Sequence, residues 1–403
     1  MSTRPQVCAW IVALGLVTPS AAASQERTER ELVDLVVRDG PQARAIRAET
    51  DVARLEQEAR LAYLNPSVSY SREGAGFTEF LQVEQTLPLF GIRGALSRAG
   101  VAATAAAEAE RDARLWHLRA DATAAIARLG AEQARVGAAS SHVRELERLT
   151  AILRTREQEG EGSRFDRLRA EQELREARQA HTAAAVGVAD ARAGLSSLLP
   201  DDVTVTRVES DANAMRAAAP LDALTTRAAA ARAELRVLQH SAERARLEAD
   251  AAHKARWPAP SVSGGLKRSD TGQGRENGGV FGVNLSLPLF DTGGRDAARW
   301  TAERTRAEAE RVALAQQIQH EISRAAEALS LRQAALAEDQ ASAADDLSRI
   351  AEVAYREGDV GIVELLDAAR TVSRARLRTI DLTLDARLAQ IALERAVGEP
   401  LWP

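Results

Sequence analysis

Glu364 and Asp367 are the pair whose type and spacing best suit a shared chemical task. Three positions apart on a helix, they lie on one face about a turn apart, where two carboxylates can attract the same cation. Residue type alone equally suits a solvated helix face, since the 403-residue chain carries 58 Asp and Glu. Other chemistry is sparse. His117, His142, His181, His240, His253 and His320 show no paired ligand spacing and read as helix-surface residues. Met215 is the one methionine after the initiator, too few for a copper relay. There is no nucleophile motif, phosphate loop or cysteine pair, so neither catalysis, a resident metal nor a cofactor is expected. The glycines at 272, 274, 278 and 279 are spaced as a loop between strands. A net charge of −5, with basic residues interleaved among acids, excludes the basic stripe that nucleic-acid binding needs.

The elements that must position this pair are helices. Tyr355-Arg356-Glu357-Gly358-Asp359-Val360-Gly361 precedes the acids, and Glu159-Gly160-Glu161-Gly162-Ser163 is its counterpart earlier in the chain. Glycine at a helix end, followed by an immediate restart, predicts two αα-hairpins turning at Gly160, Gly162, Gly358 and Gly361. Pro88 to Pro200 and Pro288 to Pro400 are both 112-residue intervals without another proline. Long helices are predicted over about 95–159 and 295–357, with return helices over 163–199 and 362–397. The stretch 295–357 lacks glycine too, so one helix of 63 residues is expected, about 95 Å at ~1.5 Å per residue. Ile322, Leu329 and Leu336 step by seven and Leu347 follows by eleven, a spacing for gently supercoiled packing. Aromatics at 3% and a high alanine content also fit long helices in close contact.

Before each long helix the pattern changes period. In Phe281-Gly-Val-Asn-Leu-Ser-Leu-Pro-Leu-Phe290 the odd positions are apolar and Gly282, Asn284 and Ser286 face the other way, as in a half-buried strand. Leu81-Gln-Val-Glu-Gln-Thr-Leu-Pro-Leu-Phe90 stands 200 residues earlier, with Gln82, Glu84 and Thr86 on its polar side and Gln85 breaking the apolar one. Strands are predicted at 66–72, 80–89, 260–268 and 280–289, turning into helices at Pro88, Gly91 and Gly94 and at Pro288, Gly293 and Gly294. Helices over 26–64, interrupted near Gly40-Pro41, and 221–256 precede the strands. The chain is therefore mainly α with a small β part, built as two tandem repeats, 24–218 and 219–403. Nine of fourteen aromatics lie in or beside the hairpins, as interfacial girdles or as ordinary sheet packing. Residues 1–23, with Arg4, an apolar run and Ala21-Ala22-Ala23, read as a signal peptide. Cys8 falls inside it, leaving no cysteine for an N-terminal lipid anchor. No later segment reaches the ~18 apolar residues of a membrane-spanning helix. Four strands cannot close a barrel, and lipid does not tolerate open sheet edges, so membranous strands would require several chains to share one barrel.

The doubled Leu-Pro-Leu-Phe followed by glycines, together with Tyr355-x-x-Gly358-x-x-x-x-x-Glu364-Leu365-Leu366-Asp367-Ala368, resembles the TolC-like outer-membrane efflux proteins. The resemblance covers nearly all of residues 26–400. It implies a homotrimer in the outer membrane whose chains each give four strands to a 12-stranded β-barrel, with the helices forming a long periplasmic tunnel. It also implies an exit duct served by a periplasmic adaptor (membrane fusion) protein and an inner-membrane pump of the RND type. Gly160, Gly162, Gly358, Val360 and Gly361 would be adaptor-facing tips, and Glu364 and Asp367 an acidic ring narrowing the entrance. Tyr355 and Asp166 match positions that hydrogen-bond between neighbouring helix pairs in the closed state, although Val360 replaces a frequent arginine. The compact length resembles the heavy-metal branch. A polypeptide duct of type I secretion, a periplasmic coiled-coil scaffold or adaptor, and an exported enzyme stand as alternatives.

Overall fold

A computed structural model describes residues 27–402 apart from 75–76, 210–216, 255, 271, 273, 291 and 341–343. The expected signal peptide and Met215 lie outside the described residues. In chain order the elements are β1 (Arg27–Thr28), α1 (Glu29–Asp39), α2 (Pro41–Arg60), β2 (Ser67–Glu73), β3 (Thr78–Thr86) and α3 (Ile92–Gln158). Then come α4 (Arg164–Ser196), β4 (Val208–Glu209), α5 (Leu221–Ala231), α6 (Ala233–Lys254), β5 (Pro260–Asp270) and β6 (Arg275–Leu285). The chain closes with α7 (Gly294–Gln340), α8 (Ala344–Glu357) and α9 (Ile362–Val397). The chain is mainly helical, as its composition implies. α3 runs unbroken for 67 residues, about 100 Å. The single helix expected over 295–357 passes through 341–343, outside the described residues.

Local chemistry explains the breaks. α1 opens on a capping box, in which the Glu31 N–H donates to Thr28 Oγ1 and the Thr28 N–H to Glu31 Oε2. It stops at Gly40, and Pro41 starts α2 where its missing N–H costs nothing. In the second repeat the sequence predicts one helix over 221–256, yet α5 and α6 part at Arg232 without glycine or proline. The buried Arg232 guanidinium donates to Ala396 O (2.9 Å), at the last turn of α9. An arginine capping another helix thus sets the break, and no local breaker marks it.

Three apolar clusters order the helices. Leu32 and Val36 of α1 pack on Leu118, Ile126 and Leu129 of α3 and Leu195 of α4. The second repeat matches this with Leu224 of α5, Ile322 and Leu329 of α7, and Leu393 of α9. A third cluster sits near the hairpin turns and joins both repeats, with Leu146 and Leu153, Leu174, and Ile362, Leu365 and Leu366.

The four long strands form one antiparallel sheet in the order β2-β3-β5-β6. Glu84 pairs with Ser67 and Ser263, and Asn284 with Ser261, so these residues share a face with Gln82. The opposite face exposes Val68, Tyr70, Leu81, Val83, Val262, Leu266, Phe281, Val283 and Leu285. Gln85 interrupts this apolar face, and its amide donates to Leu64 O (2.9 Å). The ladders end at Thr86 and Leu285, earlier than the sequence pattern predicts. Beyond them, Leu89 N–H bonds Leu87 O and Leu289 N–H bonds Leu287 O, both at 2.9 Å. These are tight turns centred on Pro88 and Pro288, residues that bring no N–H to a ladder. The expected glycine loop is shorter as well, because Gly278 and Gly279 lie in β6 opposite Lys267 and Leu266.

Candidate functional site

Each helical hairpin turns by the same local device. At the first tip Gly160 N–H bonds Glu157 O (3.1 Å) and Glu161 N–H bonds Arg156 O (2.9 Å). At the second, Gly358 N–H bonds Tyr355 O (3.3 Å) and Asp359 N–H bonds Ala354 O (2.9 Å). Both are Schellman closures, and they place Gly160 (φ 81°) and Gly358 (φ 86°) in the left-handed region that favours glycine. Gly162 and Gly361 do not adopt positive φ. Gly162 is needed for space, because a Cβ there would stand 2.9 Å from Arg156 Cβ. Gly361 is the extended N-cap of α9, and a Cβ would stand 3.0 Å from Glu364 Oε2. Its absence lets the Glu364 carboxylate fold back over the start of α9, where the helix dipole favours negative charge. Val360, between the two glycines, is half-buried.

Glu364 and Asp367 are both exposed on α9, while Ile362, Leu365, Leu366, Ala368 and Ala369 bury the opposite side. Among the described residues neither carboxylate has an ion-pair partner, although the Arg370 guanidinium, three residues beyond Asp367, feels that carboxylate's charge. The structure does not join Tyr355 to Asp166 within one chain. Tyr355 packs half-buried on the third cluster with Arg156 Cζ 5.7 Å from its ring centre. Asp166 lies in the first turn of α4, which Ser163 caps through its Oγ and the Phe165 N–H (3.1 Å).

Other residues link the two hairpins instead. Arg370 of α9 donates through Nε to Glu173 Oε1 of α4 (2.6 Å) and through Nη2 to Oε2. Glu173 is buried, with a side chain 7% exposed, while Arg370 is about a third exposed. Arg148 of α3 meets Glu352 of α8 (2.7 Å), but both ends are in water. His142, half-buried on α3 near this pair, is held below its ordinary pKa by burial, which prevails over the nearby carboxylates. Sequence reasoning missed Glu173 and Arg370, because an acid and an arginine 197 positions apart carry no local signal.

A second network was equally hidden. His117 accepts from Arg395 Nε at Nδ1 (3.0 Å), which leaves Nε2 to donate to Glu234 Oε1 (3.1 Å). Burial pushes Glu234 up, but the His117 bond, its own backbone N–H and the nearby Arg232 charge outweigh it and bring it to about 2. His117 is thus a structural linker between α3, α6 and α9 and no mere surface residue.

At the sheet's base the two repeats meet. Phe90, in the left-handed region (φ 60°), stacks on Trp257 at 5.9 Å, and Arg93 lies 3.7 Å over the Tyr63 ring. Gly91 (φ 75°) begins α3, and Gly293 (φ 72°) does the same for α7. Gly94 and Gly294 lie in regular helix and carry no such demand.

The second repeat, with its acid pair, Tyr355 and tip, matches the outer membrane efflux protein family over residues 224–399. Solved membrane proteins share the fold over more than nine-tenths of the chain. A membrane protein from Pseudomonas aeruginosa is 20% identical over 92% of this chain and 93% of its own, with a TM-score of 0.74. The Campylobacter jejuni CmeC outer membrane channel is 15% identical over 99% and 94%, also at 0.74. The outer-membrane channel OprN is 21% identical over 92% and 90%, at 0.73. Comparison with curated proteins by sequence gives no match. The likeness of fold thus extends to the first repeat, although the family match by sequence stops at the second. Asp166 and the Gly160 tip lie outside the matched residues.

Proposed function

We propose that the chain is the outer-membrane exit duct of a tripartite efflux system, assembled as a homotrimer. One observation carries this reading. A four-stranded sheet exposes a mainly apolar face and leaves β2 and β6 as open edges, on helices none of which is long and apolar enough to cross a membrane among the described residues. Three such sheets joined edge to edge make a closed 12-stranded barrel, the arrangement lipid demands of strands. Leu287, Leu289, Phe290 and Trp257, all exposed at the sheet's base, suit the membrane interface. A coiled-coil scaffold or adaptor would have no use for such a sheet. The tips at Gly160, Gly162, Gly358, Val360 and Gly361 then meet a periplasmic adaptor, with an inner-membrane pump of the RND type beyond it.

Glu364 and Asp367 supply six carboxylates near the axis of the trimer and narrow its entrance. Tyr355 and Asp166 belong to hydrogen-bonded contacts between neighbouring helix pairs that keep it closed. Among the described residues no group of three or more His, Cys, Asp or Glu could hold a metal ion. Purified protein should run as a heat-modifiable trimer from the outer-membrane fraction. In planar bilayers it should conduct weakly, prefer cations, and be blocked by multivalent cations from the periplasmic side. Glu364→Ala with Asp367→Ala should lose the block and most of the preference. A double variant that keeps both would return these residues to a solvated helix face.

A further inference from the structure

The entrance acids are not the sole carboxylates placed for the conduction path. Glu84 lies on the polar face of the sheet, where Ser67, Ser261, Ser263 and Gly282 surround it with small side chains. Ser261 Oγ donates to Glu84 Oε1, and so does Asn284 Nδ2 at 3.2 Å. Asn284 is the repeat-equivalent of Glu84, 200 residues on, so the repeat brings its own matching positions into contact. Both donors are neutral and both use Oε1. Among the described residues no donor of the chain reaches Oε2, and Glu84 has no ion-pair partner. The cation of this face on the same strands is Lys267, four residues beyond Ser263 along β5, or about 13 Å. Lys267 instead lies 5.7 Å over the Phe80 ring. Its field at Glu84 is weak, because charges in water are screened over ~8 Å at physiological salt.

We propose that Glu84 is a selectivity-determining carboxylate of the barrel lumen, forming with its two symmetry copies a cation-favouring ring where the barrel meets the helices. This rests on the trimeric duct reading. Under it the apolar sheet face meets lipid, and the face carrying Glu84 lines water. Twelve strands spaced ~4.8 Å and tilted ~40° close at a radius of about 12 Å, so three such side chains act from near 10 Å on an ion at the axis. A screened Coulomb interaction at that range attracts cations and repels anions enough to change their permeability ratio about three-fold. Unlike the acids at the tips, this ring lies on a rigid ladder and does not depend on whether the entrance is open. It therefore discriminates small inorganic cations from anions continuously, in either direction of flow.

The test is the reversal potential of purified trimers in a planar bilayer under a KCl gradient. Glu84→Gln keeps the size of the side chain and an oxygen for the Ser261 bond. It should lower the potassium-to-chloride permeability ratio about three-fold while trimer yield and heat-modifiability stay unchanged. Glu84→Lys should shift the ratio further in the same direction, and if it fails to assemble, Glu84→Gln decides alone. A wild-type channel that prefers cations and ignores Glu84→Gln overturns this inference while leaving the duct reading in place. A wild-type protein that forms no channel removes both.

Discussion

The clasp between Glu173 and Arg370 gives a test with an asymmetric outcome. Removing Arg370 leaves a buried carboxylate without its cation, a loss that costs 3–5 kcal/mol for a fully buried pair. Arg370 is about a third exposed, so water can follow into the gap and the cost falls to about 2 kcal/mol per protomer. Removing Glu173 leaves an arginine that can turn to solvent, at about 1 kcal/mol. Arg370→Ala should therefore destabilise more than Glu173→Ala, and Glu173→Leu with Arg370→Leu should recover most of the difference. The assay is loss of helical circular dichroism in detergent at a fixed heating rate, paired with single-channel conductance. The clasp ties α4 to α9 beside the third cluster, so Arg370→Ala should also raise conductance by loosening the two hairpins. Equal destabilisation by the two alanine variants, or a conductance that neither changes, would refute the reasoning.

Two further outcomes follow from the sheet and the hidden network. Leu285→Arg, on the apolar face, should cost about 2–4 kcal/mol near the bilayer midplane and deplete assembled trimer, whereas Asn284→Arg on the polar face should not; equal trimer yields would reverse the assignment of faces. Glu234 is lowered from 4.5 to about 2, so its contribution to stability is full above pH 4.5 and is lost as pH falls towards 2, up to about 3 kcal/mol. Glu234→Gln should flatten melting temperature against pH across that window, and an unchanged slope would count against the His117–Glu234 bond.

Much of the fold was legible because it repeats. The Leu-Pro-Leu-Phe segments, the paired tip glycines and the proline-free intervals all report local geometry, and a helix or turn answers to its own residues. What stayed hidden depends on distant partners. Arg232 breaks a helix because it caps α9, and no residue between 221 and 256 announces that. His117 reads as a surface histidine until α6 and α9 bring it Glu234 and Arg395. Strand ends were misjudged by a few residues, because alternation continues through Leu287 and Leu289 after pairing has stopped. At the tips the glycine pattern was visible, but not that Gly162 serves space and not handedness.

The proline-centred turns that join strand to helix have a mechanical consequence. Thr86 and Ile92 are separated by five residues, tied by the Leu89-to-Leu87 hydrogen bond and wedged by Phe90 on Trp257. No slack cord connects sheet and helix. The 67-residue α3 is then a rod about 100 Å long, clamped at the end that joins the sheet. A sideways shift of 10 Å at its free end needs an average tilt of only about 6°, well within the curvature long helices ordinarily show. Large movements at the tips can therefore be spread thinly along the shaft, and the sheet need not yield when the far end swings.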